Sequence, residues 1–213
     1  MSDFTLPFGL EHALKSTDWT RQVTRLYSEV QVADGKASAW DEWRARRDEL
    51  MARHPNSPLE PRKLESFTGL QYFDHRPDSR VLGTINEASP RTDGRMSADG
   101  GVIPITRVAI VTFDLYGASH GLDLFWMGSW RGGFFLPFVD GTSGQTTYGG
   151  GRYLLDTIKT EDLGMEGDRL VLDFNYAYNP RCAYNPSFSC PLAGPGSRID
   201  AEVRAGERLA GAV

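Results

Sequence analysis

The chain has 213 residues, which is enough to bury a hydrophobic core without disulfide or metal cross-links. Hydrophobic residues make up 40% of it and charged residues 24%, as in globular domains and unlike disordered chains. The net charge of −5 argues against a general electrostatic affinity for nucleic acid, and no apolar run approaches the roughly 18 residues that span a bilayer. These figures exclude a membrane protein, a small disulfide-stabilised scaffold and a basic nucleic-acid-binding tail, but they indicate no reaction.

The first 65 residues have the apolar spacing of two amphipathic helices. We expect the first helix to begin at Ser16 or Thr17, either of which is a good N-cap residue. The second helix is predicted between Ser38 and Pro55, since the residue before a proline avoids the helical region. The predicted apolar faces are Trp19, Val23, Leu26, Tyr27 and Val30 in the first helix and Trp40, Trp43, Leu50 and Met51 in the second.

Charge is nearly balanced over this helical region, with 10 Lys and Arg against 11 Asp and Glu in residues 1–65. The arginines of residues 44–47 are therefore interpreted as a solvated helix face. We predict a helical extension over residues 1–36 and a single β-rich domain over residues 37–213. The first twelve residues lack a basic segment followed by an apolar one, so we expect no secretory signal and a cytoplasmic location.

Residues 66–175 contain short runs of alternating or β-branched residues separated by turn signals. The spacing is too short for crossover helices, which favours antiparallel strands. We predict an α+β, β-rich fold: an antiparallel β-barrel or sandwich with the two N-terminal helices packed on it. Residues 88–101 are predicted as a surface loop and residues 117–121 as a hairpin loop. Strands are predicted at 80–86, 107–117, 122–127, 133–139, 152–157, 169–174 and 200–204.

A glycine-rich segment, residues 131–156, is the first place where a site is expected. Glycine fills seven of these 26 positions, which indicates tight turns or close approach of the backbone to another group. The segment lacks the GxxxxGK[ST] pattern of a phosphate-binding loop. Arg152 lies between tyrosines and suits the binding of a carboxylate or phosphate. The alternative, which we favour, is an internal ion pair with Asp140, Asp156 or Asp173.

The aromatic segment 173–191 contains the two cysteines of the chain, Cys182 and Cys190. A zinc site would need further ligands from scattered histidines, and a nucleophilic cysteine would need a histidine base that the sequence does not place nearby. A disulfide is compatible with the spacing, although a reducing compartment would keep it open. We interpret the cysteines as small buried packing residues and expect no metal site.

Two motifs resemble a known family. They are residues 135–154, FLPFVDGTSGQTTYGGGRYL, and residues 172–184, LDFNYAYNPRCAY, followed by the CPL of residues 190–192. Together they are similar to the domain-of-unknown-function family 1684 of bacterial and archaeal proteins, over about residues 40–208. The chain departs from that pattern at Gly196 and Ser197, where family members tend to have an acidic residue and an amide. The resemblance implies a location for the site and no established activity.

We expect the loops 140–153 and 174–191 to meet over one end of the sheet, since barrel mouths and sheet ends commonly bind ligands. The first hypothesis is a small-molecule-binding protein, with an aromatic-lined pocket in which Arg152 binds an anionic group. The second is an enzyme that uses the same pocket, with Asp140 or Asp173 as general base and Tyr148 or Tyr178 as proton donor. The third is a structural or interaction module in which these polar residues form an internal network.

The sequence leaves the cofactor and the oligomeric state open. The predicted ligand-binding residues are Arg152, Tyr148, Tyr153, Thr142, Thr146, Asn175, Tyr178 and Tyr184.

Overall fold

The computed structural model of the chain describes residues 9–33, 36–96, 102–128 and 132–209. Two long helices come first and strands dominate the rest of the chain. No helix in these ranges combines the length and the apolar composition that crossing a membrane requires. The helices are α1 (Leu10–Ala33), α2 (Ala37–Arg53), α3 (Pro61–Glu65) and α4 (Arg181–Tyr184). The strands are β1 (Gln71–Tyr72), β2 (Arg80–Met96), β3 (Val102–Leu115), β4 (Ala118–Met127), β5 (Gly133–Phe138), β6 (Arg152–Asp156), β7 (Met165–Glu166), β8 (Arg169–Asp173) and β9 (Glu207–Arg208).

The two long helices bury the faces that their apolar spacing predicts. Helix α1 starts at Leu10, earlier than the predicted cap at Ser16 or Thr17, because the turns before that cap continue the helical hydrogen bonding. The two helices share a hydrophobic cluster with Tyr176, whose ring lies 5.0 Å from that of Trp43. The side chains buried in the helices are Val23, Leu26, Tyr27 and Val30 of α1 and Trp40, Trp43, Leu50 and Met51 of α2.

Seven strands form one antiparallel sheet in the order β6-β5-β4-β3-β2-β8-β7. The predicted α+β class with antiparallel strands is therefore confirmed. The pairings of the described strands leave β6 and β7 at the two edges, so no closed barrel is found among them. The largest buried cluster joins strands β3 to β6 and β8 to residues 199–205, which pack on the sheet without forming a strand.

Three loop and strand boundaries differ from the prediction. Residues 88–96 belong to β2, which pairs with β3 as far as Met96 and Val102, so the predicted loop was wrong over this part. Residues 97–101 lie outside the described residues. Cross-strand pairing outweighs local composition here, and the register shift between Glu87 and Arg91 gives Pro90 a place where no ladder donor is needed.

The hairpin between β3 and β4 is tighter than predicted. Only Tyr116 and Gly117 connect the strands, with φ of 53° and 81°, as a two-residue turn of the primed kind requires. The predicted loop at 117–121 was wrong because residues 118–121 already pair with β3. The predicted strand at 200–204 was also wrong: strand β9 starts at Glu207 and pairs with β1.

Candidate functional site

Arg152, the first residue of β6, is completely buried and makes its contacts inside the protein. Its Nη2 donates to Asp140 Oδ2 at 2.6 Å and to the carbonyl of Val203 at 2.9 Å. Its Nη1 donates to the carbonyls of Ala205 and Glu207. Burial lowers the pKa of the guanidinium, and the Asp140 carboxylate opposes that effect. Arg152 thus attaches the irregular segment 203–206 and the start of β9 to the sheet, and no part of its side chain is exposed to solvent.

The loop after β5 is organised around the same carboxylate. The second oxygen of Asp140 accepts hydrogen bonds from the backbone N–H of Thr142 at 2.6 Å and from its hydroxyl. That hydroxyl also contacts the hydroxyl of Thr147 at 2.9 Å. Thr146 takes part through its carbonyl, which accepts from the Leu209 N–H at 2.9 Å. Both carboxylate oxygens of Asp140 therefore have hydrogen-bond partners inside the protein.

Asp173 and Asn175 hold a different part of the chain. Asp173 Oδ1 accepts from the backbone N–H of Asn175 at 3.0 Å and from its side-chain amide at 2.8 Å. The same amide side chain exchanges two hydrogen bonds of 2.8 Å with the backbone of Arg76. Burial raises the pKa of Asp173, and the two bonds from Asn175 act against it. This pair fixes the residues before β2 onto the end of β8.

A second buried ion pair connects helix α2 to β9. Glu207 is 1% exposed and accepts from Arg47 Nη1 at 2.8 Å and from the hydroxyl of Tyr184. Asn179 donates to the same carboxylate from its backbone N–H at 3.1 Å and from its amide at 3.0 Å. Arg47 also donates to the Tyr72 hydroxyl at 2.6 Å. Glu207 thus joins helix α2, residues 179–184 and β9 through one buried carboxylate.

Sequence reasoning missed both members of this pair. The interpretation of residues 44–47 as a solvated face is wrong for Arg47, whose side chain is only 11% exposed. The signal was present in the helical spacing, because Arg47 follows Trp43 by four residues and precedes Leu50 by three. Glu207 carries no comparable signal, since it lies in a two-residue strand near the end of the described chain.

A groove of about 510 Å³ lies beside the Glu207 pair. It is lined by residues of the segments 59–71, 179–184 and 207–209, and we call it the α3 groove. Its lining is mostly apolar, with Leu59, Phe67, Leu70 and Leu209 among its members. Of the predicted ligand-binding residues, Tyr184 lines it. Its volume falls within the range of about 300–1,000 Å³ that is typical of ligand pockets.

A smaller cavity of about 40 Å³ lies between helices α1 and α2 and residues 153–184, and it shares Asn179 and Tyr184 with the groove. Asn179 Oδ1, a buried atom that borders it, has no hydrogen-bond partner among the described residues, and the Glu161 and Tyr178 side chains lie against each other there. Burial raises the pKa of Glu161 to about 7, against the opposing charge of Lys159. A water site needs on the order of 10–15 Å³, so this cavity has room for one to about three waters.

Tyr148 is not part of either cavity lining and contacts the cysteines instead. Its hydroxyl lies 3.7 Å from Cys182 Sγ, and burial raises the pKa of the phenol to about 12. Tyr153 donates to the Pro191 carbonyl at 2.7 Å. Both cysteines are free thiols and buried. No group of three or more potential metal ligands is found in the described part of the chain.

Comparison with known proteins places these residues within a family. The model of the family described as "Protein of unknown function (DUF1684)" matches residues 65–208. The chain belongs to this family. It is 37% identical to an uncharacterised protein of Haloarcula marismortui whose solution NMR structure has been solved, with a TM-score of 0.58, over 79% of this chain and 91% of that one. No curated relative matches the chain.

The two family motifs thus contribute to separate places. Residues 140–152 of the first motif form the network around Arg152, and the second motif divides between the Arg76 contact, the Glu207 pair and the two cavities. The predicted residues therefore do not converge on one pocket. Thr142, Thr146 and Arg152 share one network, Asn175 lies in another, and Tyr153, Tyr178 and Tyr184 border the smaller cavity.

Proposed function

We propose that this DUF1684 protein binds a small organic molecule in the α3 groove. The observation that carries the proposal is the groove itself: about 510 Å³, mostly apolar, and walled by a segment that buried ion pairs hold in place. A rigid wall favours binding because less conformational freedom is lost when the ligand binds. The proposal keeps the predicted class of function and moves the ligand away from Arg152.

The polar groups of the groove indicate what the ligand carries. Arg208 is a cation in the lining whose Nε has no hydrogen-bond partner among the described residues, whereas the Lys63 ammonium pairs with Glu60 at 3.0 Å and donates to the Tyr184 carbonyl at 2.7 Å. The Glu207 carboxylate does not cancel the charge of Arg208, because it pairs with Arg47. The expected ligand therefore has an apolar body and an acceptor such as a carboxylate or sulfonate. A donor group on the ligand would satisfy Asn179 Oδ1.

In this proposal Arg152 positions the binding wall and does not touch the ligand. Its guanidinium donates to the carbonyls of Val203 and Glu207, and strand β9 begins at Glu207. Glu207 in turn accepts from Tyr184, which lines the groove. The Arg152 network thus supports the groove wall through the backbone.

The test is a titration with 8-anilino-1-naphthalenesulfonate, a fluorescent probe with an aromatic body and one sulfonate. Ser66 is exposed and lines the groove, so Ser66→Trp fills it without disturbing the core. We expect this variant to weaken probe binding about tenfold or more, equivalent to about 1.4 kcal/mol. Ser119→Trp adds the same ring at an exposed position of β4 and is the matched control.

The charge contribution is tested by a second pair of variants. Arg208→Gln removes the cation from the groove, and Arg204→Gln removes an exposed cation of the same segment that pairs with Glu202. We expect only the first to weaken the probe. Equal probe affinity in the wild-type protein, Ser66→Trp and Arg208→Gln would contradict the proposal.

A further inference from the structure

Cys182 and Cys190 lie against each other beneath the loop that separates them. Cys182 is on helix α4, and its backbone N–H donates to Cys190 Sγ at 3.4 Å. The two thiols also interact directly, and the Tyr148 hydroxyl lies on the other side of Cys182 Sγ at 3.7 Å. Both residues are buried, at 4% and 6% exposure, while Pro186 and Ser187 in the intervening loop are exposed. The two thiols are therefore buried neighbours, and the loop that separates them in the sequence reaches the surface.

The surroundings of the two sulfurs are not equivalent. The pKa of Cys190 is lowered to about 6 by the hydrogen bond from the Cys182 thiol and, further, by backbone N–H donors of Cys182 and Arg181 and by the Lys159 ammonium. The same contact, together with burial, raises the pKa of Cys182. Cys190 is therefore the sulfur of the pair with the greater thiolate character. A thiolate, and not a thiol, is the nucleophile in sulfur chemistry.

We propose that Cys182 and Cys190 form a redox-active dithiol that peroxides convert to an intramolecular disulfide. The Cys190 thiolate attacks one oxygen of hydrogen peroxide, the O–O bond breaks, and the leaving hydroxide takes up a proton from solvent to form water. Cys190 is then a sulfenic acid. The Cys182 sulfur attacks it, the S–S bond forms as the S–O bond breaks, and the Cys182 proton leaves with the hydroxide as a second water. The two sulfurs are oxidised and the peroxide is reduced, so the step balances.

The structural consequence would appear on helix α4. Cys182 and Tyr184 belong to the same four-residue helix, and Tyr184 donates to Glu207 in the buried ion pair. A covalent bond at Cys182 constrains this helix on the side opposite its connection to Glu207. The proposal itself depends only on the thiol pair and stands apart from ligand binding in the α3 groove.

The experiment treats the native, reduced protein with hydrogen peroxide and analyses it by intact mass and by non-reducing peptide mapping. We expect the intact mass to fall by two hydrogen atoms and the peptide map to contain a peptide in which Cys182 is linked to Cys190. A dithiol reductant should reverse both changes. Glutathione at the same concentration serves as the reference thiol. Cysteines that stay reduced while glutathione is oxidised, or a link between two chains, would overturn the proposal.

Two variants test the assigned roles. In Cys182→Ser the resolving thiol is absent, so we expect a sulfenic acid on Cys190 that dimedone labels. In Cys190→Ser the contact with Cys190 is gone but burial still raises the pKa of Cys182, whereas Cys190 in the first variant keeps its backbone N–H donors and the Lys159 charge, so we expect Cys182 to react at least tenfold more slowly. Labelling of Cys182 in the second variant as fast as labelling of Cys190 in the first would contradict the assignment of Cys190 as the attacking sulfur.

Discussion

Replacing Arg152 by methionine should destabilise the protein strongly without opening a new ligand site. The substitution keeps most of the apolar stem and removes the cation from a position where both Arg152 and Asp140 are fully buried. Asp140 then remains as a buried carboxylate whose charge is opposed only by the dipoles of Thr142. Removing one partner of a buried pair costs about 3–5 kcal/mol. The carbonyls of Val203 and Ala205 also lose their donor, which places the expectation in the upper half of that range.

Urea denaturation followed by circular dichroism measures this difference. Arg204→Met is the matched control: it removes an arginine from the same segment whose side chain is 64% exposed and pairs with Glu202 at the surface. Exposed pairs contribute about 0–1 kcal/mol, so the control should stay close to the wild-type protein. A loss below about 1 kcal/mol for Arg152→Met would refute the assignment of Arg152 as a buried structural cation.

Three further predictions concern other buried groups. Burial raises the pKa of Glu161 from 4.5 to about 7, so the protonated side chain stabilises the fold, and this contribution is lost as the pH rises from about 4.5 to about 7. Glu161→Gln should remove up to about 3 kcal/mol of this pH dependence, measured by urea titrations at pH 5 and pH 8. Glu207→Gln leaves Arg47 without a counter-ion and should cost about 3–5 kcal/mol by the same unfolding assay. Gly206 has a φ of 76°, and a Cβ there would lie 2.6 Å from the carbonyl oxygens of Ala177 and Phe174. Gly206→Ala should therefore lower the melting temperature measured by calorimetry, whereas Gly117→Ala, which has a similar φ and open space around it, should lower it less.

Apolar periodicity was sufficient to predict the helix faces and most of the strands, because burial of one face is what a 3.6- or 2-residue repeat encodes. It failed at residues 88–96, where pairing of β2 with β3 outweighs a proline- and glycine-containing composition. It also failed at residues 200–204, where the carbonyl of Val203 accepts a hydrogen bond from Arg152 and not from a neighbouring strand. Such a role leaves no pattern in the side chains.

The residues of the candidate site were harder to place. Arg152 and Asp140 have the residue types that either a ligand clamp or a buried ion pair would use, and only the three-dimensional contacts distinguish the two. The α3 groove combines segments that lie more than 100 residues apart in the sequence, so no local motif marks it. Arg47 could have been placed on the buried face of α2 from its spacing to Trp43, but its position among other arginines favoured a solvated interpretation.

The most direct test of binding in the α3 groove is a ¹H–¹⁵N NMR titration of the wild-type protein with 8-anilino-1-naphthalenesulfonate. The largest amide shifts should fall in residues 59–71, 179–184 and 207–209, and they should be absent from Ser66→Trp. The contrary result is a set of shifts centred on the exposed Trp126 and Phe134, whose rings lie 5.4 Å apart on the sheet, or shifts that persist unchanged in Ser66→Trp. Either pattern would show that the probe binds outside the groove and would contradict the proposed function.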